Sequence, residues 1–527
     1  MRTPPGVSST DFATAIEQFA DAIGEQWVFT SDEDVNTYRD AFSPLWGEPD
    51  ERAASAAVAP ETVPEIQQVV RIANRYSIPL YTISTGRNLA YGGSAPVYSG
   101  SVVLDLKRMN KILDVNEDQA YALVEPGVSY FDLYRHIRAR GMKLWIDCPD
   151  PGWGSLIGNA LDHGAGRTPL PYRDHFGAHC GMEVVLPNGS VVRTGIGALP
   201  TAQSWQHFQY GAGPWTDGLF SQSNYGIVTK MGFWLLPEPE ASMTGQIRVQ
   251  RHNDLIPFVR ILARLAFAGT VNCVFALQSP VFGGPLDAEK SALLDRPGGG
   301  SAAEWDRYAA EKGRHFWQTE LRFYGPLKVI AAQWEHVKEQ MSVIGGGQFT
   351  DGPVTHFPLT DEQLGKLSDP GSFGVPSLNV FSSLTSTSGH LDASPMLPYS
   401  GESLLEAHKV FMKLFRDAGI ELALGFATSY HWRALIMFQG INLTRDPEQM
   451  AKARSLYGQV IKVASDHGWG IYRAHAAFMD IVMDQYSYND HSLMRLNESL
   501  KDALDPNGIL SAGRYGIWPK HLRQGRA

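Results

Sequence analysis

The sequence has no apolar run of the length that a bilayer-spanning helix needs, and no membrane partner is expected. Cysteine is scarce. Cys148, Cys180 and Cys273 lie far apart, which excludes a disulfide framework and a Cys-x-x-Cys metal signature. Positive charge is also short: 45 Lys and Arg stand against 55 Asp and Glu, for a net charge of -10. A general nucleic-acid binder needs a basic footprint and is excluded on that ground. The histidines show no HExxH spacing, which argues against a zinc hydrolase. The opening MRTPPGVSSTDF lacks the apolar core of a signal peptide, and the ending HLRQGRA is no peroxisomal tripeptide. The default expectation is a cytoplasmic protein. There is no internal repeat. What is present is 527 residues, 43% hydrophobic and 19% charged, the composition of a globular enzyme. That length calls for two domains or a large two-part fold.

Helices alternate with strands along the chain, so the class is α/β or α+β. Glu61 to Tyr76 predicts an amphipathic helix: Thr62 and Glu65 form a capping box, Pro64 sits in the first turn, and Ile66, Val69, Val70 and Ala73 share a face. Strands follow at Leu80–Ile83 and Val102–Leu106. Lys111–Val115 and Ala120–Val124 read as a hairpin. Ser129 caps a second helix through SYFDLYRHIRARG. Met182–Val192 is another hairpin, turned by Pro187-Asn188-Gly189. The character changes near Pro237-Glu238-Pro239. Beyond it, Arg296–Ser301 and Gly345–Gly347 read as surface loops, and Glu402–Ala418 and Gln449–His467 as helices. The turn-rich tail DALDPNGILSAGRYGIWP reads as ordered, returning to the first part of the chain.

One stretch asks for a ligand. STGRNLAYGGSAP follows the strand Leu80–Ile83 and holds Ser84, Thr85, Gly86, Arg87, Asn88, Gly92 and Gly93. Consecutive backbone N–H groups in a glycine turn make an anion nest, and glycine lets the chain approach a pyrophosphate closely. The spacing is neither GxGxxG opening a helix nor a Walker A loop. On its own the turn reads equally as a plain β-turn. Three more segments weigh on the choice: WGSLIGNALDHGAGRTP, QSNYGIVTKMGF and DPNGILSAGRYG.

Together these motifs resemble the vanillyl-alcohol oxidase and p-cresol methylhydroxylase flavoproteins, most closely the bacterial eugenol and 4-alkylphenol oxidases. The resemblance runs over nearly the whole chain. It is strongest at STGRNLAYGGSAP, DCPDPGWGSLIGNALD, GMEVVLPNGSVVRTGIGALP, QSNYGIVTKMG, GHLDASP, YRAHAAFMD and LDPNGILSAGRYGIWP. It implies an α+β, two-domain FAD-binding fold with an α/β cap. Residues 1–238 and 470–527 would hold FAD, and residues 239–469 would form the cap. By resemblance, FAD contacts fall on the opening turn, Ser155, Gly158, Asn159, Gly226, Ile227 and Arg514. His390, in GHLDASP, matches the histidine that many relatives link covalently to the flavin. Others use a tyrosine or no bond.

The resemblance further implies oxidation of para-substituted phenols (4-alkylphenols, 4-allylphenols such as eugenol, and 4-hydroxybenzylic alcohols such as vanillyl alcohol). Hydride would pass to flavin N5 through a p-quinone methide, and molecular oxygen would become hydrogen peroxide. The alternative of the same fold is a dehydrogenase that passes electrons to a cytochrome c partner. A homodimer or dimer-based oligomer is the family default. A phenol has a pKa of about 10, and only its anion is a good hydride donor. Tyr91, Tyr472 and Arg473 match the residues that stabilise that anion. One cation roughly 4 Å away at an effective dielectric of about 20 supplies on the order of 4 kcal/mol, enough to pull the pKa towards roughly 7. Asp150 matches an active-site acid fit for general-base work. Read locally, Tyr91 is a turn tyrosine, Tyr472-Arg473 a strand end and Asp150 a turn cap.

Three positions depart from the family pattern. In an extended GHLDAS, His390, Asp392 and Ser394 face one way, while Gly389, Leu391 and Ala393 face the other. Asp392 would then be a second acid near Asp150, or a solvated turn residue. Glu421 and Tyr430 fall in ELALGFATSYHW, on the cap side of the pocket; relatives often read MHH where this chain reads SYH, and His431 is retained. Ala165 is small where a bulkier side chain would narrow the pocket, which suggests tolerance of more substituted phenols.

Overall fold

A computed structural model describes residues 3–169, 174–296, 299–384, 389–420, 426–431 and 433–523. The fold is α+β. Its first sheet carries Ala56–Val58, Val102–Asp105 and Leu80–Ile83 side by side and parallel, with Val28–Phe29 antiparallel on the outer edge. Helix Val63–Tyr76 covers this sheet with Ile66, Val69, Val70 and Ala73, all fully buried against Leu80, Val102 and Leu104. Burying each such branched aliphatic side chain stabilises by roughly 1.5–3 kcal/mol. Thr62 caps the helix as expected, but the capping box is incomplete. The Glu65 carboxylate accepts from the Glu61 N–H at 2.7 Å, one residue earlier.

A second, antiparallel sheet orders Ile112–Asn116, Tyr121–Val124, Ile227–Trp234, His179–Val185 and Val191–Arg193. Both expected hairpins are its outer pairs. Ser129 caps Tyr130–Ala139 in a complete capping box with Asp132. The chain then builds a three-stranded antiparallel sheet, with Ala241–Val249 between Trp317–Gly325 and Gln348–His356. The expected loop at Gly345–Gly347 leads into its last strand. Pro297 and Gly298 of the other glycine passage lie outside the described residues. The two expected late helices run Gly401–Asp417 and Pro447–Asp466; the second starts earlier because Asp446 caps it and Pro447 occupies its first position.

The tail returns to the first sheet. Leu510 bridges Leu80 in parallel; the Leu80 N–H donates to the Ile509 carbonyl and the Ser511 N–H to that of Leu80, each at 2.7 Å. Fully buried Lys501 locks this return. Its ammonium faces the Asp505 carboxylate at 2.7 Å and donates to the carbonyls of Asn224 and Leu510 at 2.9 and 2.7 Å. A further strand pair joins Gly389–Ala393 to Gln439–Leu443 in antiparallel register, with His390 opposite Asn442 and Asp392 opposite Gly440. Leu391 and Ala393 point into the core, so His390 and Asp392 point away from it. Among the described residues, no helix is long and apolar enough to cross a membrane.

Candidate active site

A cavity of about 1100 Å³ opens where the glycine turn, helix Leu156–Leu161, strand Gly389–Ala393, the Tyr472-Arg473 segment and the returning tail converge. Residues separated by more than four hundred positions line it together. Ser84 through Asn88, Tyr91, Gly92, Gly93, Asp150, Ser155, Gly158, Asn159, Ala165, Gly226, His390, Asp392, Tyr430, Tyr472, Arg473 and Arg514 all contribute to its wall. Two sequence candidates fall elsewhere. The Ile227 side chain is fully buried in the core beneath the first sheet. His431 stands behind Tyr472, ring centroids 5.2 Å apart. Glu421 lies outside the described residues.

The turn itself is tightly folded. Gly86 has φ of 66°, and a Cβ there would collide with the Ser94 hydroxyl. A Cβ at Gly158 would collide with Ser84 across the cavity wall. Among the described residues, no backbone hydrogen bond takes up the N–H groups of Thr85 to Ala90. The Ser155 hydroxyl is already engaged: it accepts from the Gly158 N–H at 3.1 Å and donates to the Pro126 carbonyl at 2.6 Å.

One end of the cavity is organised by Arg473. Its guanidinium lies 5.2 Å from the centre of the Tyr91 ring and 4.8 Å from that of Tyr472. Asn159 Oδ1 accepts from it at 3.2 Å, and its nearest carboxylate oxygen is 3.8 Å away, on Asp162. Asp162 also accepts from Arg514 and from the Tyr515 hydroxyl, both at 3.2 Å. Behind Asn159 runs a buried chain: Asn159 Nδ2 contacts His175 Nδ1 at 2.8 Å, and His175 Nε2 meets the Asp147 carboxylate at 3.0 Å. Desolvation pushes the Tyr472 phenol up to about 12 although Arg473 pulls it down. Desolvation likewise raises Tyr91 well above its ordinary value, helped by Asp392 and opposed by Arg473. Desolvation works against the charge of Arg473, yet Tyr472, Asp162 and Tyr91 keep its pKa above the usual arginine value. The result is a permanent cation beside two neutral hydroxyls. In this structure the Tyr472 hydroxyl donates to the His163 carbonyl.

The other end holds Asp150. Desolvation raises its pKa, Arg167 opposes the rise, and Asp369 adds to it. Arg167 joins the two acids, at 3.4 Å from Asp150 and 2.9 Å from Asp369. A backbone hydrogen bond from Val380 also favours the ionised form of Asp150. Tyr430 stands over this group; desolvation raises its pKa, with Arg167 opposing and both acids assisting. Asp369 is thus an acid that acts on Asp150, one the sequence reading did not single out. Asp392 pairs with His390, at 3.3 Å, and raises Tyr91. Arg167, Asp369, Asp162, Asp147 and His175 escaped the sequence reading. Of these, Asp147, Asp162 and Arg167 sat inside the quoted motifs DCPDPGWGSLIGNALD and WGSLIGNALDHGAGRTP without being singled out, and Asp369 and His175 sat in none.

Comparison with known proteins defines the class. The FAD binding domain family matches residues 54–195, and the C-terminal domain of FAD linked oxidases matches residues 403–515. A 4-cresol dehydrogenase flavoprotein subunit from Pseudomonas putida is 31% identical over 98% of this chain and 97% of its own. A 1'-carboxy-chondrochloren decarboxylase from Chondromyces crocatus is 44% identical over 88% of this chain and 91% of its own. The solved structure of a 4-ethylphenol oxidase from Gulosibacter chungangensis, in complex with isoeugenol, superposes with a TM-score of 0.84 at 35% identity, covering 99% of this chain and 100% of that one. These matches describe a flavin-dependent oxidoreductase. The chain belongs to the vanillyl-alcohol oxidase and p-cresol methylhydroxylase family of flavoproteins.

The residues fit FAD. Free main-chain donors follow a strand in a turn too tight for side chains at Gly86, as a pyrophosphate requires. Among the described residues, buried His390 Nδ1 has no hydrogen-bond partner.

Proposed function

We propose that this chain oxidises para-substituted phenols at the carbon attached to the ring. The observation that carries the reading is the placement of Arg473 between Tyr91 and Tyr472, in the cavity that also holds Asp150 and the glycine turn. The FAD side would be built by residues 1–238 and 470–527, and the cap by residues 239–469. FAD would rest on Ser84 to Asn88, Gly92, Gly93, Gly158, Asn159, Gly226 and Arg514, with His390 as its covalent anchor. When bound, it supplies a two-electron acceptor for hydride.

The chain's own residues prepare the substrate. Arg473 stabilises the phenolate by charge, and the neutral hydroxyls of Tyr91 and Tyr472 are available to donate hydrogen bonds to it. Tyr472 does so by turning away from the His163 carbonyl. Loss of hydride from the phenolate leaves a p-quinone methide, and Asp150, within the same wall, chooses its fate. Ionised, it takes a proton from attacking water or from the next side-chain carbon. Similarity to a named decarboxylase supports a further fate, loss of CO2 from a carboxylated side chain.

Molecular oxygen is the proposed final acceptor, a cytochrome the alternative; a dimer of chains is expected. With 4-propylphenol, oxygen uptake and peroxide in a 1:1 ratio support the oxidase reading. Turnover only with cytochrome c would replace it. Acid precipitation tests the anchor: yellow colour in the wild-type pellet, and in the supernatant for His390→Ala.

A further inference from the structure

Arg167 is an unusual wall for a pocket that takes an uncharged alkyl chain. It lines the cavity, its side chain is 39% exposed, and its partners are Asp369 at 2.9 Å and Asp150 at 3.4 Å. The guanidinium has five N–H donors in a planar fork, and these two contacts use two of them. The Asp369 contact is tight; Asp369 is itself held by the Ser372 hydroxyl at 2.5 Å. The Asp150 contact is long, at 3.4 Å, and the Asp150 carboxylate also takes a backbone hydrogen bond from Val380. One side of the fork is therefore anchored and the other is loosely occupied, facing the cavity. An arginine that served only to tie two loops together would have no need of the cavity wall.

We propose that Arg167 is the receptor for a carboxylate on the para side chain of the phenol, so that the preferred substrates are 3-(4-hydroxyphenyl)propanoates and the product is a 4-alkenylphenol. The inference rests on the reading of Arg473 as the phenolate site. Two cations in the wall of one cavity then match the two anionic ends of one substrate. Arg–carboxylate pairs are strong and bidentate, which gives geometry as well as affinity. Asp150 carries a proton when the carboxylate binds, since two carboxylates cannot share one arginine face without repulsion.

The step balances without a base. The benzylic hydrogen leaves as hydride to FAD, and the phenolate becomes a quinone methide. The bond from the next carbon to the carboxylate then breaks. Its electron pair becomes the new C=C bond, the ring electrons return to the phenolate oxygen, and CO2 departs. A protonated Asp150 is idle in this route, whereas it must be ionised to desaturate a plain alkyl chain.

The test compares 3-(4-hydroxyphenyl)propanoate with 4-propylphenol, its near-isostere, on the FAD-loaded wild type, Arg167→Gln and Arg167→Lys. It measures kcat/KM, CO2 and 4-vinylphenol. Calorimetric binding of 3-(4-methoxyphenyl)propanoate, which cannot form a phenolate and so is not oxidised, adds a readout free of turnover. The expected result is one CO2 per acid oxidised and a kcat/KM preference for the acid. Arg167→Gln should lower that preference by about 10- to 100-fold, with Lys restoring part of it and methyl-ether binding falling in parallel. If 4-propylphenol is turned over and the acid is rejected, or oxidised with its carboxylate retained, the inference fails while the phenol-oxidase reading stands. If Arg167→Gln leaves the preference unmoved, Arg167 is a structural tie. If neither phenol reacts, both readings fall.

Discussion

Two arginines face one cavity in opposite surroundings. Arg473 has an 11% exposed side chain, two aromatic rings against it and its closest carboxylate oxygen at 3.8 Å. Arg167 is more open and lies between two acids. The same residue type is thus under-neutralised at one end and over-neutralised at the other. The first end holds a standing positive field, and burial keeps its tyrosines neutral, so an incoming phenol meets charge and hydroxyls together. The second end is net negative while Asp150 is ionised and comes near balance once Asp150 is protonated, so its field depends on that proton. What separates the ends is which counter-ions the fold delivers, and those come from segments distant in sequence.

The largest effect should come from removing the standing cation. Arg473→Gln is expected to lower kcat/KM for 4-propylphenol by about 10³-fold, the equivalent of about 4 kcal/mol. The loss should shrink as pH approaches the phenol's own pKa, where solvent makes the anion. A loss that stays constant with pH would place the role of Arg473 elsewhere. Asp150→Asn comes next, with about 10²-fold lost on 4-propylphenol. A base works only when ionised, and Asp150 is raised by desolvation. The acid limb of the wild-type profile should therefore lie above the ordinary aspartate value of about 3.9, and vanish in Asp150→Asn. A 3-(4-hydroxyphenyl)propanoate should lose much less, because CO2 departure needs no base. Equal losses on both substrates would erase the difference between the two ends.

Much of the first end could be read from sequence. The glycine turn, Tyr91, Tyr472-Arg473 and the alternation of GHLDASP are local patterns, and period-two alternation placed His390 and Asp392 on one side correctly. The flanking helix and hairpins followed from capping residues and turn chemistry. The second end was mostly hidden. Asp369 reaches Arg167 across two hundred positions from a loop with no motif of its own. Asp162 and the Asp147–His175–Asn159 chain are side-chain contacts across folded segments. The pairing of Asp392 with His390 was hidden for the same reason: alternation gives the face of a strand but not which side chains on it meet. Asn224, inside the quoted QSNYGIVTKMGF, lines the cavity and donates to the carbonyls of Ser511 and Ile517 at 3.1 and 2.9 Å, pinning the tail.

Asn159 tests whether the charge of Arg473 suffices or its aim also matters. Its amide connects Arg473 to the His175–Asp147 pair, so Asn159→Ala leaves the cation in place and removes one of its anchors. One hydrogen bond to a charged group contributes about 1.5–3 kcal/mol, which sets an expected loss of at least tenfold in kcat/KM. The profile should keep its phenol limb, since the cation remains, but shift it upward by a fraction of the Arg473→Gln shift.

The smallest expected effect decides whether the two ends are separate at all. Tyr430 is the side chain through which they could communicate. It titrates under the influence of Arg167, Asp369 and Asp150, and it also contributes, as the weakest of the named causes, to the raised pKa of Tyr472. Tyr430→Phe should change kcat/KM for 4-propylphenol by no more than about threefold, within the range of an ordinary hydrogen bond. Combined with Arg473→Gln, the two losses should add to within about 0.5 kcal/mol, as they do for sites that share no partner. A coupling above about 1 kcal/mol would mean that Tyr430 carries the state of the acid end to the phenolate end. The cavity would then have to be treated as one titrating unit, and the separate roles of Arg167 and Arg473 would no longer be separable by single substitutions.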